Sequence, residues 1–342
     1  MKKAIKFCLG IFMIVMLFVF SDEAKKSVYD ALCICGEIFI PSLFPFMATA
    51  LFISKTGLPN ALSRPLGKAG NALFGCDNAL LILLGLTAGY PVGTKLMANM
   101  YDDGKISATD AEFYMTFLVG AGPSFIVTAV GGGVFHSTAI GVAIFAACIL
   151  GGLLNSLLFR CLLSRSDKKT LIKHTVKTDT IECFVTSVSD TGMTMLELTG
   201  FVVIFNCIYN LVTRLIDFKG MSSYVAQIFE VTTGVIMSQN KSPAIIAAGV
   251  GFGGLSVLFQ VLFAARKIPI RKGIIVLSRI THSIFSFLIA EFLVRVFPIA
   301  REVFWSSGVP RVHESYTVTM CATLMLLAAV LICNIQNRQI TD

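Results

Sequence analysis

Apolar residues fall into ten segments that are separated by short polar stretches. Several of these segments approach or exceed the roughly 20 residues that an α-helix needs to cross the hydrocarbon core of a bilayer. The pattern therefore predicts an all-α fold, that of a polytopic helical membrane protein. The segments cover residues 4–20, 28–53, 79–100, 111–134, 138–160, 187–213, 224–238, 243–265, 273–297 and 316–334.

The composition agrees with this assignment. The chain has 342 residues, of which 55% are hydrophobic and 14% are charged, whereas soluble domains carry about a quarter charged residues. The net charge of +8 does not indicate a nucleic-acid partner, because the basic residues cluster at 160–177 and 266–272. The positive-inside rule places such stretches on the cytoplasmic side of the bilayer.

Two apolar segments are broken by residues that disfavour a continuous helix. Residues 80–100 contain Gly85, Gly89, Pro91 and Gly93, and the sequence FEVTTG at residues 229–234 forms a similar break in the second half. In lipid, irregular backbone is tolerated only where it is buried in protein or lines a watery cavity. Paired breaks in two halves of a membrane protein point to a transport site.

The two halves resemble each other. VGAG at residues 119–122 aligns with VGFG at 250–253, which favours two related, inverted repeats with broken helices and re-entrant hairpins. The alternative is that these glycines only allow helices to pack closely. The predicted organisation is an N-terminal helix or signal anchor at 1–26, a first repeat at 27–160, a basic cytoplasmic loop at 161–180, a second repeat at 181–297 and a C-terminal helix at 298–342.

The first break holds the strongest candidates for binding a ligand. Pro91 disfavours helix at the preceding residue, so a new half-helix is expected to start there with free N–H groups that attract anions. A lysine within such a segment is costly unless it is used; the alternative is a packing kink whose lysine reaches the membrane surface. The candidate substrate-binding residues of this break are Thr87, Gly89, Tyr90, Pro91, Gly93, Thr94 and Lys95.

The second break offers a carboxylate in an apolar stretch. Glu230 is a candidate for proton coupling or cation binding, and Thr232, Thr233 and Gly234 complete its polar stripe. The alternative is that the carboxylate lies at an interface and is hydrated. We expect residues 89–95 and 230–234 to face each other in a central site.

Two further features of the sequence each allow two interpretations. Gly120 and Ser124 lie in a predicted hairpin turn and serve either ligand binding or close helix packing. Arg279 and His282 share one helix face because they are three residues apart. These two cationic groups could hold an anion or could pair with Glu197 or Glu230.

Signals for other protein classes are absent from the sequence. It contains no HExxH, GxSxG or Walker A motif, and its ten cysteines show no zinc-like spacing. We therefore expect no enzyme activity, no cofactor and no metal site. A transporter of this kind would be a secondary or passive carrier rather than an ATP-driven pump.

Two motifs resemble a known family. PSLFPF at residues 41–46 and AGYPVGTK at 88–95, with Ala88 in place of a serine, are similar to the sporulation integral membrane proteins of the YlbJ (SpoVV) type. Those proteins belong to a wider group with a nucleoside recognition, or Gate, region. The resemblance covers about residues 28–295.

The resemblance implies a multi-pass protein in the cell membrane of a spore-forming bacterium, specifically the outer forespore membrane. The implied function is delivery of dipicolinic acid, a small anionic solute, to the developing spore. Two alternatives stay open, a carrier of a nucleoside-like solute and a sporulation or envelope assembly protein that transports nothing. The expected surroundings are the lipid bilayer, with no nucleic acid, and a homo-oligomer is compatible with the sequence.

Overall fold

The structure, a computed structural model, describes residues 2–56, 85, 89–104, 106–163 and 179–296. All regular structure in these ranges is helical, as the sequence predicts. The helices are α1 (Lys2–Val19), α2 (Ser21–Lys55), α3 (Val92–Asp102), α4 (Ala108–Leu118), α5 (Ser124–Val134), α6 (Thr138–Leu162), α7 (Thr180–Leu215), α8 (Ser222–Phe229), α9 (Val231–Met237), α10 (Pro243–Phe252), α11 (Gly254–Ala264) and α12 (Lys272–Val296).

Five spans in the described part of the chain are long and apolar enough to cross a membrane, which confirms the polytopic helical class. They are α2, α6, α7, α12 and the combined stretch Pro243–Ala264, which contains α10 and α11. The predicted C-terminal helix and the centre of the basic loop lie outside the described residues. The apolar segment at 111–134 forms two helices instead of one, because Pro123 and the glycines before it separate α4 from α5.

The order of elements repeats along the chain. The first half contains a 35-residue helix, a break before α3, the broken pair α4 and α5, and a 25-residue helix. The second half contains a 36-residue helix, the broken pair α8 and α9, the broken pair α10 and α11, and a 25-residue helix. This repetition supports two related halves.

The corresponding long helices α2 and α7 run antiparallel. Lys55 at the end of α2 donates to the Asp190 carboxylate near the start of α7 at 2.8 Å, and Glu23 near the start of α2 lies 3.5 Å from Arg214 at the end of α7. Inverted repeats require such an arrangement. The inversion of the complete halves stays a prediction.

Buried polar contacts join the two 25-residue helices, α6 and α12. The Asn155 side chain is fully buried and donates to the carbonyls of Thr116 at 2.7 Å and Ser278 at 2.9 Å. Cys148 and His282, which hold the eleventh position of their respective helices, meet where His282 Nε2 lies 2.9 Å from the Cys148 carbonyl. The junction of the two halves is therefore both packed and hydrogen-bonded.

One ion pair connects α4 to the residue just before α12. Glu112, whose side chain is 4% exposed, accepts from Arg271 Nη2 and from the Arg271 backbone N–H, both at 2.6 Å. We expect Glu112→Gln to lower the free energy of unfolding by about 1.5–3 kcal/mol, because hydrogen bonds to charged groups contribute that much. Thermal unfolding of the purified protein in detergent measures the change.

Asp102→Asn is the matched control for Glu112→Gln. Asp102 pairs with Lys267 at 3.2 Å, but both side chains are largely exposed, and exposed ion pairs contribute about 0–1 kcal/mol. Equal losses in the two variants would contradict a special role for the buried carboxylate.

Candidate functional site

The first break joins a turn without regular structure to the start of α3. Gly89 has a φ of +79°, and the first hydrogen bond beyond the break runs from the Val92 N–H to the Gly89 carbonyl at 3.0 Å. A Cβ on Gly89 would lie 2.8 Å from the Gly122 nitrogen, and one on Gly93 would lie 2.6 Å from the Leu118 carbonyl oxygen. The break therefore packs directly against the turn between α4 and α5.

The second break contains a carboxylate that caps the helix after the break. Glu230 is 1% exposed and occupies the N-cap position of α9, where its two oxygens accept from the Thr232 N–H at 3.1 Å and the Thr233 N–H at 2.7 Å. Thr233 Oγ1 in turn accepts from Asn206 Nδ2 at 2.6 Å. A hydrated position at an interface is thus excluded for Glu230.

Gly234 has a packing role in this structure. A Cβ at this position would lie 2.3 Å from the Gln227 backbone nitrogen, so the hairpin of α8 and α9 can close only with glycine there. The Gln227 side chain continues the contact, since its Nε2 donates to Ser238 Oγ at 2.7 Å.

Tyr90 is a buried polar residue of the first break. Its hydroxyl lies within electrostatic reach of both the Glu230 carboxylate and the Arg279 guanidinium. The residue is 6% exposed, and the hydroxyl has no hydrogen-bond partner among the described residues. No hydrogen bond joins Tyr90 to Glu230 among the described residues, so the facing of the two breaks in one site stays a prediction, and Thr87 lies outside the described residues.

A buried cation stands beside Tyr90. Arg279 is 1% exposed, and its guanidinium donates to the backbone carbonyls of Val119 and, at 2.8 Å, Thr116 at the end of α4. Its Nε has no partner, and no carboxylate lies within 4 Å of it in the described ranges. The ion pair with Glu197 or Glu230 that the sequence left open is therefore not formed.

His282 lies about one helical turn after Arg279 on α12. It is 1% exposed, and while its Nε2 contacts the Cys148 carbonyl, its Nδ1 has no partner among the described residues. Arg279, His282 and Tyr90 form the group called the cationic cluster below, in which Arg279 carries the positive charge. Such a cluster offers N–H and O–H donors to an anion in a water-poor surrounding.

The Lys95 side chain extends towards α7. Its Nζ donates to Thr194 Oγ1 and approaches the Asp190 carbonyl at 3.4 Å. Its neighbour Thr94 is 1% exposed, with a hydroxyl that has no partner in the described part of the chain. Thr94 rather than Lys95 therefore presents an unused polar atom at the start of α3.

The two candidate residues in the turn between α4 and α5, Ser124 and Gly120, have different surroundings. Ser124 Oγ donates to the Ser42 carbonyl at 2.9 Å, which ties the turn to the PSLFPF motif in α2. A Cβ on Gly120 would meet nothing within 4 Å. Close packing thus does not explain Gly120, whereas Ser124 has a structural partner.

Comparison with known proteins supports the same class. The chain is similar to the sporulation integral membrane protein YlbJ of Bacillus subtilis (strain 168), with 23% identity across an alignment that covers 78% of this chain and 76% of that protein. No protein-family model matches the chain, and no solved structure matches it. The resemblance to the YlbJ type is confirmed, and the chain is a multi-pass integral membrane protein.

Proposed function

We propose that this protein is a secondary or passive carrier of a small organic anion, and that the anion is dipicolinic acid delivered to the developing spore. The similarity to a sporulation integral membrane protein supports a role in sporulation, and the outer forespore membrane is the location that we propose. The buried cationic cluster beside a broken helix supports transport of an anion.

The observation that carries the proposal is the buried charge of Arg279, which is 1% exposed. A buried cation without a counter-charge loses its hydration, and its partners here are two neutral carbonyls. Ionisable residues inside membrane helices commonly mark substrate pathways. A bound carboxylate would supply the missing negative charge and would accept from Arg279 Nε and the Tyr90 hydroxyl.

The second break provides an internal example of how a carboxylate binds in this fold. The Glu230 side chain accepts two backbone N–H groups at the start of α9. At the start of α3, the N-cap position is held by Pro91, which has no capping side chain. A substrate carboxylate would take the corresponding place there, because helix N-termini favour anions.

Dipicolinic acid carries one carboxylate on each side of its pyridine nitrogen. One carboxylate would bind the cationic cluster, and the other would bind the first turn of α3, with the Thr94 hydroxyl as an additional donor. Two-point binding favours a dicarboxylate over a monocarboxylate. It also disfavours a neutral nucleoside, which has no carboxylate for either position.

Uptake of labelled dipicolinate into proteoliposomes containing the purified protein tests this function. We expect saturable uptake that excess unlabelled dipicolinate blocks and that picolinate, with one carboxylate, blocks at least tenfold less effectively, a factor that corresponds to one lost charge-assisted contact. Uptake of uridine without dipicolinate would identify a nucleoside-like carrier instead. No uptake of either solute, together with normal dipicolinate content in spores lacking the protein, would favour an assembly role.

A further inference from the structure

A small polar cavity lies between α3, α7 and α11. Its polar lining consists of Lys95, Thr194, Glu197 and Gln260, and Leu198 and Phe201 contribute to its apolar walls. Thr194 and Gln260 are 1% and 4% exposed. The cavity therefore combines buried polar groups at its inner end with mainly apolar walls, and its lining residues Glu197 and Phe263 are exposed.

Two oxygen acceptors contact the Lys95 ammonium group, and two further oxygen-bearing side chains line the same cavity. Thr194 Oγ1 and the Asp190 carbonyl accept from Nζ, and Gln260 Oε1 has no hydrogen-bond partner among the described residues. Glu197 adds a carboxylate to the lining, although no carboxylate of the described chain lies within 4 Å of Nζ. Hydroxyl, carbonyl and carboxylate oxygens are also the ligands with which membrane carriers hold a sodium ion.

We propose that the Lys95 ammonium is a tethered cation that fills a monovalent-cation site formed by α3, α7 and α11. An ammonium group is a compact point charge with three donors, so it can replace a small hydrated cation among oxygen ligands. The protein would then bind no sodium ion at this place. Where the protein acts as a carrier, which rests on the proposed function, its transport would be independent of sodium.

Two variants of Lys95 distinguish a cation site from a simple hydrogen bond. Lys95→Ala removes the ammonium and leaves room among the oxygens, whereas Lys95→Met removes the charge but keeps the volume filled. We expect sodium chloride, compared with choline chloride at equal ionic strength, to raise the midpoint of thermal unfolding of Lys95→Ala by about 5 °C at saturation. Wild type and Lys95→Met should show no such shift.

This measurement needs no substrate, so it stands even where dipicolinate is not transported. Recovery of folded Lys95→Ala only in sodium would support the proposal, while its failure to fold in sodium when Lys95→Met folds would overturn it. Equal sodium responses of wild type and Lys95→Ala, or no response of Lys95→Ala, would also overturn it. If neither variant folds, sodium-dependent uptake by the wild-type protein contradicts the proposal and sodium-independent uptake supports it.

Discussion

Arg279→Gln is expected to lower dipicolinate uptake about 100-fold while the protein remains in the membrane. Removing one partner of a buried charge pair costs roughly 2–5 kcal/mol, and each 1.4 kcal/mol is a factor of ten. The glutamine amide can still donate to one of the two carbonyls at the end of α4 that Arg279 now binds. Initial uptake rates, normalised to the amount of protein in the proteoliposomes, measure the effect.

Two further substitutions in α12 test whether the loss of uptake is specific to the Arg279 guanidinium. Arg279→Lys keeps the charge but loses the planar fork of donors, so we expect an intermediate loss of uptake. Arg295→Gln removes an arginine of the same helix that is exposed and paired with Glu291 at 2.7 Å, and it should leave uptake unchanged. Wild-type uptake by Arg279→Gln would show that the buried guanidinium only caps α4.

The helical architecture was predictable because it depends on local pattern. Long apolar segments separated by charged stretches specify spanning helices without reference to any partner. The breaks were also predictable at Gly89 and Pro91, because glycine and proline restrict or release the backbone at their own positions. The structure divides residues 224–238 at Glu230, within the predicted break.

The partners of the charged side chains could not be predicted, because they come from distant parts of the chain. Lys95 contacts Thr194, which is 99 residues away, and Arg279 contacts Val119, which is 160 residues away. The sequence predicts that Arg279 shares a helix face with His282 and leaves open whether these groups hold an anion or pair with Glu197 or Glu230. Its burial without a carboxylate partner depends on how α12 packs against α4, and only the tertiary structure reveals this.

The two breaks differ chemically, although they occupy corresponding places in the repeated order of elements. In the second half the chain itself supplies the carboxylate that caps the new helix, since Glu230 bonds to two backbone N–H groups. In the first half, Pro91 holds the corresponding position, and the polar atoms of Tyr90 and Thr94 have no partner within the described chain. Under the proposed function, the start of α3 is the position that an external anion would occupy.

Gly89→Ala is expected to abolish uptake and to lower the free energy of unfolding by at least about 2 kcal/mol. A left-handed backbone conformation costs a residue with a Cβ roughly 1–2 kcal/mol, and Gly89 has a φ of +79°. The new Cβ would also lie 2.8 Å from the Gly122 nitrogen, so the first break would have to move away from the turn between α4 and α5. That movement would displace Tyr90 from Arg279.

Gly120→Ala is the control for this change, because it adds the same methyl group to the neighbouring turn where a Cβ meets nothing within 4 Å. We expect Gly120→Ala to keep both the thermal midpoint and the uptake rate of the wild type. Both the uptake rate and the thermal midpoint of Gly89→Ala should therefore be lower than those of Gly120→Ala. If Gly89→Ala transports as well as Gly120→Ala, the close contact between the first break and the adjacent turn does not position the anion site, and binding would have to depend on Arg279 and His282 alone.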